Sequence, residues 1–494
     1  MNRSIATNAV KNYNNQNYKV EIPCPQCSAP VILEETDRIL TCRYCRTRVA
    51  LIPKDYFRYC ILPRDPKSEQ IFYVPYWRLR GLYFYNRNLH IENRMFDTSV
   101  LASPVPRMTY SLGVRCQTLT LKSVDPEMEG LFFQPKISKQ KVIHKIENMV
   151  NLSKKIQNNL DAVSEEVPSI LSPWAIFKKR DISMNIFKVD ITDFPSNSRN
   201  GKRSTKNAPQ DISTIKKEEN ITSNLKEFIG ETISMIYFPV YLKNKLLYDG
   251  VLKNPISSHP VTENDMRPLI QDEIHWTLDS IPLNCPECGW ELPGERDSIF
   301  FYCPYCSIGW LLYKDQFRMC SVGIVDTEKE ISIYMPFWKM VVEAEGLIEK
   351  RYTDQMKRNF RIQLDGTKQE ATATTFWAPA FKLAPDAFIN TARNVSVQDP
   401  KLRYMENISK YPLFPVTLPA SEALESVRIV IALLAESKEN VFHLLPNLRI
   451  RPKQAMVVYL PFKIRGIELI QQDMQLSFFH SAIRDSTRIT DILK

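Results

Sequence analysis

The chain has 494 residues, 44% hydrophobic and 11% aromatic, with 65 Lys and Arg against 55 Asp and Glu and a formal net charge of +10. That length and apolar content suit a soluble globular protein of two to four domains, and a charge this diluted permits contact with nucleic acid or an anionic surface without requiring it. No run of about twenty apolar residues occurs and Met1 to Tyr18 is Asn-rich with no apolar centre, so the sequence points away from a membrane span or an export signal and toward the cytoplasm.

Residues 1–20 read as a disordered tail. Residues 21–53 then hold Cys24, Cys27, Cys42 and Cys45, spaced C-x2-C, fourteen residues, C-x2-C. Two such knuckles can bring four thiolates around one tetrahedral ion, so the segment reads as a zinc ribbon. Iron accepts the same ligands and stays the less favoured alternative. Four thiolates close the coordination shell, which predicts a structural rather than a catalytic ion.

Residues 54–254 read as a β-rich half. It opens on Lys54-Asp55-Tyr56-Phe57-Arg58-Tyr59-Cys60 and continues with Tyr73-Val74-Pro75-Tyr76-Trp77-Arg78. The second motif, aromatic-x-Pro-apolar-aromatic, sits among β-branched and aromatic residues and predicts a strand. A strand proline cannot donate to a ladder, so an edge or corner position is expected. Period two puts Tyr73, Pro75, Trp77 and Leu79 on a buried face and sends Arg78 and Arg80 toward solvent as candidate contacts for nucleic acid or a partner. A helix is expected near 138–166, where Val142, Ile146, Met149, Val150 and Ile156 fall at three- and four-residue steps. A mobile insertion is expected near 167–227. It carries Arg199, Lys202, Arg203 and Lys206 without apolar periodicity, a second set of candidate contacts, although a solvated loop explains them as well.

A connecting segment, 255–282, leads to a second ribbon over 283–313, where Cys285, Cys288, Cys303 and Cys306 repeat the first spacing. Residues 314–494 then repeat the plan. Lys314-Asp315-Gln316-Phe317-Arg318-Met319-Cys320 matches the first post-ribbon motif, and Tyr334-Met335-Pro336-Phe337-Trp338-Lys339 matches the first Pro-aromatic strand at the same offset as the cysteines. The Pro-aromatic signature also returns around Pro239, Pro379 and Pro461, and an amphipathic helix is expected near 421–439. The fold class is therefore α+β: two related halves, each a four-cysteine zinc ribbon followed by antiparallel β units and one amphipathic helix.

No catalytic constellation emerges. The six histidines form no metalloprotease pair, and the thirteen glycines form neither a phosphate loop nor a dinucleotide fingerprint. Cys60 and Cys320 read as small buried residues at equivalent positions rather than a redox pair.

With Cys24-Pro25-Gln26-Cys27, Cys42-Arg43-Tyr44-Cys45, Cys285-Pro286-Glu287-Cys288, Cys303-Pro304-Tyr305-Cys306 and the Pro-aromatic strands in view, the chain resembles a group of poorly characterised bacterial zinc-ribbon proteins. Their ribbons are often likened to those of primosomal replication helicases or transcription factors. The resemblance implies metal-stabilised binding or assembly and carries no activity; the helicase likeness stops at the ribbons, because no phosphate-binding lysine loop is present. Ser28 stands where a glycine usually follows the first knuckle. The expectation is a non-enzymatic scaffold or adaptor with two structural Zn2+ ions and protein partners, with nucleic-acid binding through ribbons and basic loops as the alternative.

Overall fold

The computed structural model describes residues 18–64, 69–87, 89–113, 119–143, 225–257, 259–271, 276, 278–313, 316–345, 373–405, 411–435, 438–484 and 489. Met1–Ile137 and Ser223–Lys494 form one compact unit, and Ser138–Thr222 another. Of the second unit the described part is the helix start, where the Ser138 hydroxyl accepts from the Lys141 N–H. The remainder of the expected 138–166 helix, residues 1–17 of the tail and 167–224 of the insertion lie outside the described residues. Residues 18–20 correct the tail's expected end, because Tyr18 and Val20 are buried and Lys19 opens a strand, and the insertion's last residues likewise run into the strand Lys226–Lys243.

The first ribbon comprises β1 (Lys19–Pro23), β2 (Pro30–Glu34), β3 (Ile39–Thr41) and β4 (Arg48–Pro53). The large sheet that follows adds β5 (Phe57–Cys60), β6 (Ile71–Arg87), β7 (His90–Leu101), β8 (Leu121–Ser123), β9 (Leu131–Phe132), β10 (Lys226–Lys243) and β11 (Leu246–Asp249), and takes in β1 and β2 through parallel pairing of β1 with β8. After a short capped helix α1 (Glu263–Met266), β12 (Leu278–Pro282) leads into the second ribbon, formed by β13 (Phe300–Tyr302), β14 (Gly309–Tyr313) and β15 (Gln316–Cys320). The second large sheet holds β16 (Val322–Ile324), β17 (Ile333–Glu345), β18 (Ala373–Pro379), β19 (Arg449–Arg465), β20 (Glu468–Gln471) and β21 (Leu476–Phe479). Packed with it are α2 (Pro385–Gln398), α3 (Ala420–Leu424), α4 (Ser426–Leu434) and α5 (Lys438–Leu444).

Each large sheet is built on one long antiparallel pair, and the two pairs have the same register. In β6 and β10, Tyr73 faces Pro239 and Pro75 faces Tyr237; in β17 and β19, Tyr334 faces Pro461 and Pro336 faces Tyr459. Both pairs carry a bulge at the same place, with Glu231 the extra residue on β10 and Lys453 on β19. The same anchoring bonds recur. Trp77 Nε1 donates to Ile137 O and Trp338 Nε1 to Leu418 O, each at 2.8 Å. Tyr73 O accepts from Phe133 N and Tyr334 O from Phe414 N; Pro75 O accepts from Ala102 N and Pro336 O from Ala380 N.

The Pro-aromatic strands around Pro75, Pro239, Pro336 and Pro461 are inner strands, which corrects the edge or corner expectation. Along one side of β6, β9 pairs with Phe72 and Tyr73 and β7 takes over from Tyr76, leaving Pro75 between them. Pro239 falls between the pairings of β5 and β11, Pro336 between Leu413 and β18, and Pro461 between β16 and β20. A residue without an N–H is tolerated where one neighbour leaves and the next has not begun.

Inner position also explains why β6 is buried from Ile71 through Asn86, on both faces. Arg78 and Arg80 therefore do not reach solvent. Arg78 is fully buried, donates from Nε and Nη2 to Glu35 at 3.1 and 2.9 Å, pairs with Asp97, and lies over the Tyr18 ring. Burial works against its charge, yet Glu35, Tyr18 and Asp97 raise its pKa above the ordinary arginine value. Glu35 belongs to the turn after β2, so this pair fastens ribbon 1 to the sheet.

The halves also interlock within the larger unit. The core around β17 and β19 takes in Leu82, Phe84, Leu225 and Ile229 from the first sheet. Arg484 pairs with the bulge residue Glu231, Arg428 with Glu227 at 3.2 Å, and Glu422 Oε2 accepts from Gly230 N at 2.6 Å. The expected helix near 421–439 is broken into α3, α4 and α5. Helix α2 is an addition that a strand-dominated reading does not anticipate, although Pro385 in its first turn and Phe388, Ile389, Ala392 and Val395 on its buried face carry the signal.

Candidate metal centres

Four knuckles build the two centres, and all four close with the same pair of backbone bonds. Ser28 N donates to Cys24 O and Cys24 N to Ala29 O; the pattern repeats at Cys42 with Arg46 and Thr47, at Cys285 with Gly289 and Trp290, and at Cys303 with Ser307 and Ile308. The residue just past each second cysteine takes a left-handed conformation, with φ of 57° at Ser28, 61° at Arg46, 75° at Gly289 and 56° at Ser307. Only Gly289 adopts it without a side-chain penalty. The missing glycine at Ser28 thus leaves the turn unchanged and adds local strain.

These turns converge the sulfurs. In each quartet all four Sγ atoms lie within 4.8 Å of one another. Cys24 and Cys45 are 3.6 Å apart and Cys27 and Cys42 3.7 Å; the matching distances in the second quartet, Cys285–Cys306 and Cys288–Cys303, are 3.6 and 3.5 Å. A tetrahedron with Zn–S bonds of about 2.3 Å has edges near 3.8 Å, so both quartets fit a four-thiolate ion. Cys24, Cys42, Cys285 and Cys303 are buried, whereas Cys27, Cys45 and Cys288 are exposed. Each centre is thus anchored on one side in the protein and faces water on the other.

Surrounding groups prepare single sulfurs for ionisation. The Thr47 hydroxyl, 3.2 Å from Cys45 Sγ, and the Thr47 backbone N–H lower the Cys45 thiol to about 6. At Cys285 burial opposes the charge, but the backbone N–H groups of Cys288 and Glu287 prevail and bring it to about 6. Burial and neighbouring thiols push Cys306 up to about 12. Like charges so close cannot all form without a cation, and a bound ion would deprotonate the full set. Trp310 Nε1 donates to Cys285 Sγ at 3.2 Å, a bond that orients the sulfur and accepts part of its charge. Ribbon 1 has Val49 at the corresponding place, so this donor is special to ribbon 2.

The centres are joined. Strand β12, which leads directly to Cys285, pairs antiparallel with β4 of ribbon 1, from Leu278 opposite Pro53 to Pro282 opposite Val49. Arg38 N and Ile39 N donate to Arg296 O, and Arg48 donates to Glu291 Oε1 at 2.8 Å and to the Leu292 and Gly294 carbonyls. One small core contains Ile39 and Ala50 of the first ribbon with Leu283, Leu292, Phe301 and Trp310 of the second.

All eight predicted ligands are thus brought into two groups that can hold metal ions. Arg78 and Arg80 are buried rather than exposed, and Arg199, Lys202, Arg203 and Lys206 lie outside the described residues. Cys60 is fully buried and burial pushes its thiol up to about 12; Cys320 is only half-buried and rises to about 11 for the same reason. Cys60 pairs within the first large sheet and Cys320 within ribbon 2, so they occupy different environments. Cys116 lies outside the described residues. Sequence reasoning missed Trp310, Arg48 and Glu35, whose roles depend on contacts across the fold. No family model, curated protein or solved structure matches the chain. No helix among the described residues is long and apolar enough to cross a membrane.

Proposed function

We propose that the chain is a non-enzymatic scaffold or adaptor, stapled by two structural zinc ions, that arose by duplication of a ribbon-plus-sheet unit and presents the surfaces beside its ribbons to protein partners. The observation that carries this reading is the position of the two closed four-cysteine groups. They flank a shared junction, so metal at either one stiffens the meeting of the two halves, and a complete thiolate shell leaves no coordination position for a substrate. The common register, bulge and proline hand-overs of the two long strand pairs support duplication. Zinc is favoured over iron because an all-thiolate tetrahedral site suits it without redox chemistry.

The test is affinity purification of the full chain from its own cells, followed by size-exclusion chromatography and native mass spectrometry. A stoichiometric protein complex supports the adaptor reading; a monomer with no protein partner contradicts it. The alternative, nucleic-acid binding, loses Arg78 and Arg80 to burial.

A further inference from the structure

The two ribbons differ at one surface position in a way that exposes a ring. In ribbon 2, Trp290 and Tyr305 stack with centroids 4.6 Å apart and planes 15° from parallel, both on the outer face of the knuckles. By the shared cysteine spacing, Tyr44 corresponds to Tyr305 and Ala29 to Trp290. The backbone is equivalent too, since Ala29 O accepts from Cys24 N as Trp290 O accepts from Cys285 N. Ribbon 1 therefore has the platform without the ring that covers it, and Tyr44 is 74% exposed.

Beside Tyr44 lies a groove of about 640 Å3, bordered by Val31, Ile32, Arg43 and Arg296, with no acidic residue in its lining. Its size is in the range of about 300–1,000 Å3 usual for small-ligand sites. The charges differ between the ribbons as well. Ribbon 1 has Arg43 and Arg46 where ribbon 2 has Pro304 and Ser307, and ribbon 2 has Glu287 and Glu291 where ribbon 1 has Gln26 and Pro30. The surface of ribbon 1 thus asks for a flat ring attached to an anion, and a nucleotide has both.

We infer that the groove beside Tyr44 binds single-stranded nucleic acid, with a base stacked on Tyr44 in the place that Trp290 fills in ribbon 2 and a phosphate between Arg43 and Arg296. Stacking tolerates any base, so the site discriminates little by sequence, and binding weakens with salt as the arginines release counterions. An acidic peptide would satisfy the arginines and leave the ring uncovered. This inference needs ribbon 1 to be folded by its metal and does not need the adaptor reading: absence of a protein partner would contradict that reading and leave this one standing.

The test is fluorescence anisotropy of the full metal-loaded chain with labelled oligo(dT) and oligo(rU) of roughly fifteen nucleotides, at about 50 and about 200 mM salt. The decisive variant is Ala29→Trp, which supplies ribbon 1 with the missing ring and closes the site from within. It and Tyr44→Ala are expected to weaken binding by at least about fivefold, with metal content and melting temperature retained. Arg43→Ala should lower the logarithmic salt slope by about 0.7, and Trp290→Ala should leave affinity unchanged, because ribbon 2 has Pro304 and Ser307 in place of Arg43 and Arg46. The inference is overturned if neither oligonucleotide binds at the lower salt, if Ala29→Trp and Tyr44→Ala both bind like the parent, or if a polyglutamate peptide binds more tightly than the oligonucleotides and displaces them.

Discussion

The two ribbons have the same knuckles and different third strands. In ribbon 2 the chain runs on from β14 and folds back on it as β15, so Gln316–Cys320 completes the sheet β13-β14-β15. In ribbon 1 the matching segment leaves: Phe57–Cys60 becomes β5, inserted between β8 and β10 of the large sheet, and the vacant side of β4 is filled by β12 from far along the chain. The second half restores the position of β5 with β16, where Ile324 faces Tyr459 as Cys60 faces Tyr237. An ion in each quartet would fix the knuckles, because four bonds to one ion tolerate little displacement. It does not fix the outer strand, whose partner is decided by sheet edges elsewhere. The same motif thus serves two architectures, and the exchange joins the ribbons.

This contrast can be broken most severely at the metal. Cys24→Ser and Cys285→Ser should each lose one ion and destabilise the chain by several kcal/mol, since structural zinc binding is folding free energy of order 10 kcal/mol; because β12 pairs with β4, each loss should also speed hydrogen exchange in the other ribbon. Exchange confined to the altered ribbon would refute the coupling. Next in size is the enclosed ion pair. Glu35→Ala strands Arg78 without its buried partner and should cost about 3–5 kcal/mol in denaturant unfolding, with ribbon 1 loosened more than ribbon 2. Trp310→Phe removes the N–H···S bond from ribbon 2 alone and should weaken its metal affinity by about 10- to 100-fold in chelator competition, with ribbon 1 unaffected. The smallest effect is at the turns. Ser28→Gly, Arg46→Gly and Ser307→Gly should each stabilise by up to about 1 kcal/mol, and Gly289→Ala should destabilise by a similar amount, read from thermal melts.

Much of this is written locally in the chain. The cysteine spacing specifies both quartets because a knuckle is a short-range object, and the Pro-aromatic motif marks the long strands because aromatic and β-branched residues fit a buried pleated surface. What the motif cannot state is how many neighbours a strand has. Period two assigns Arg78 to one face of β6 correctly, yet solvent on that face is excluded by Glu35, Tyr18 and Asp97, all distant in sequence. For the same reason the motif Phe-Arg-x-Cys reads alike in both halves and pairs differently. The open ring of Tyr44 is legible in the sequence as Ala29 against Trp290, but only the stacked pair in ribbon 2 shows what that difference means.

The central claim, two thiolate metal centres that hold the junction, is tested most directly by native mass spectrometry of the freshly purified chain with its Cys24→Ser and Cys285→Ser variants. Two zinc ions in the parent and one in each variant are predicted. A parent without bound metal, or variants that both retain two ions, would contradict it.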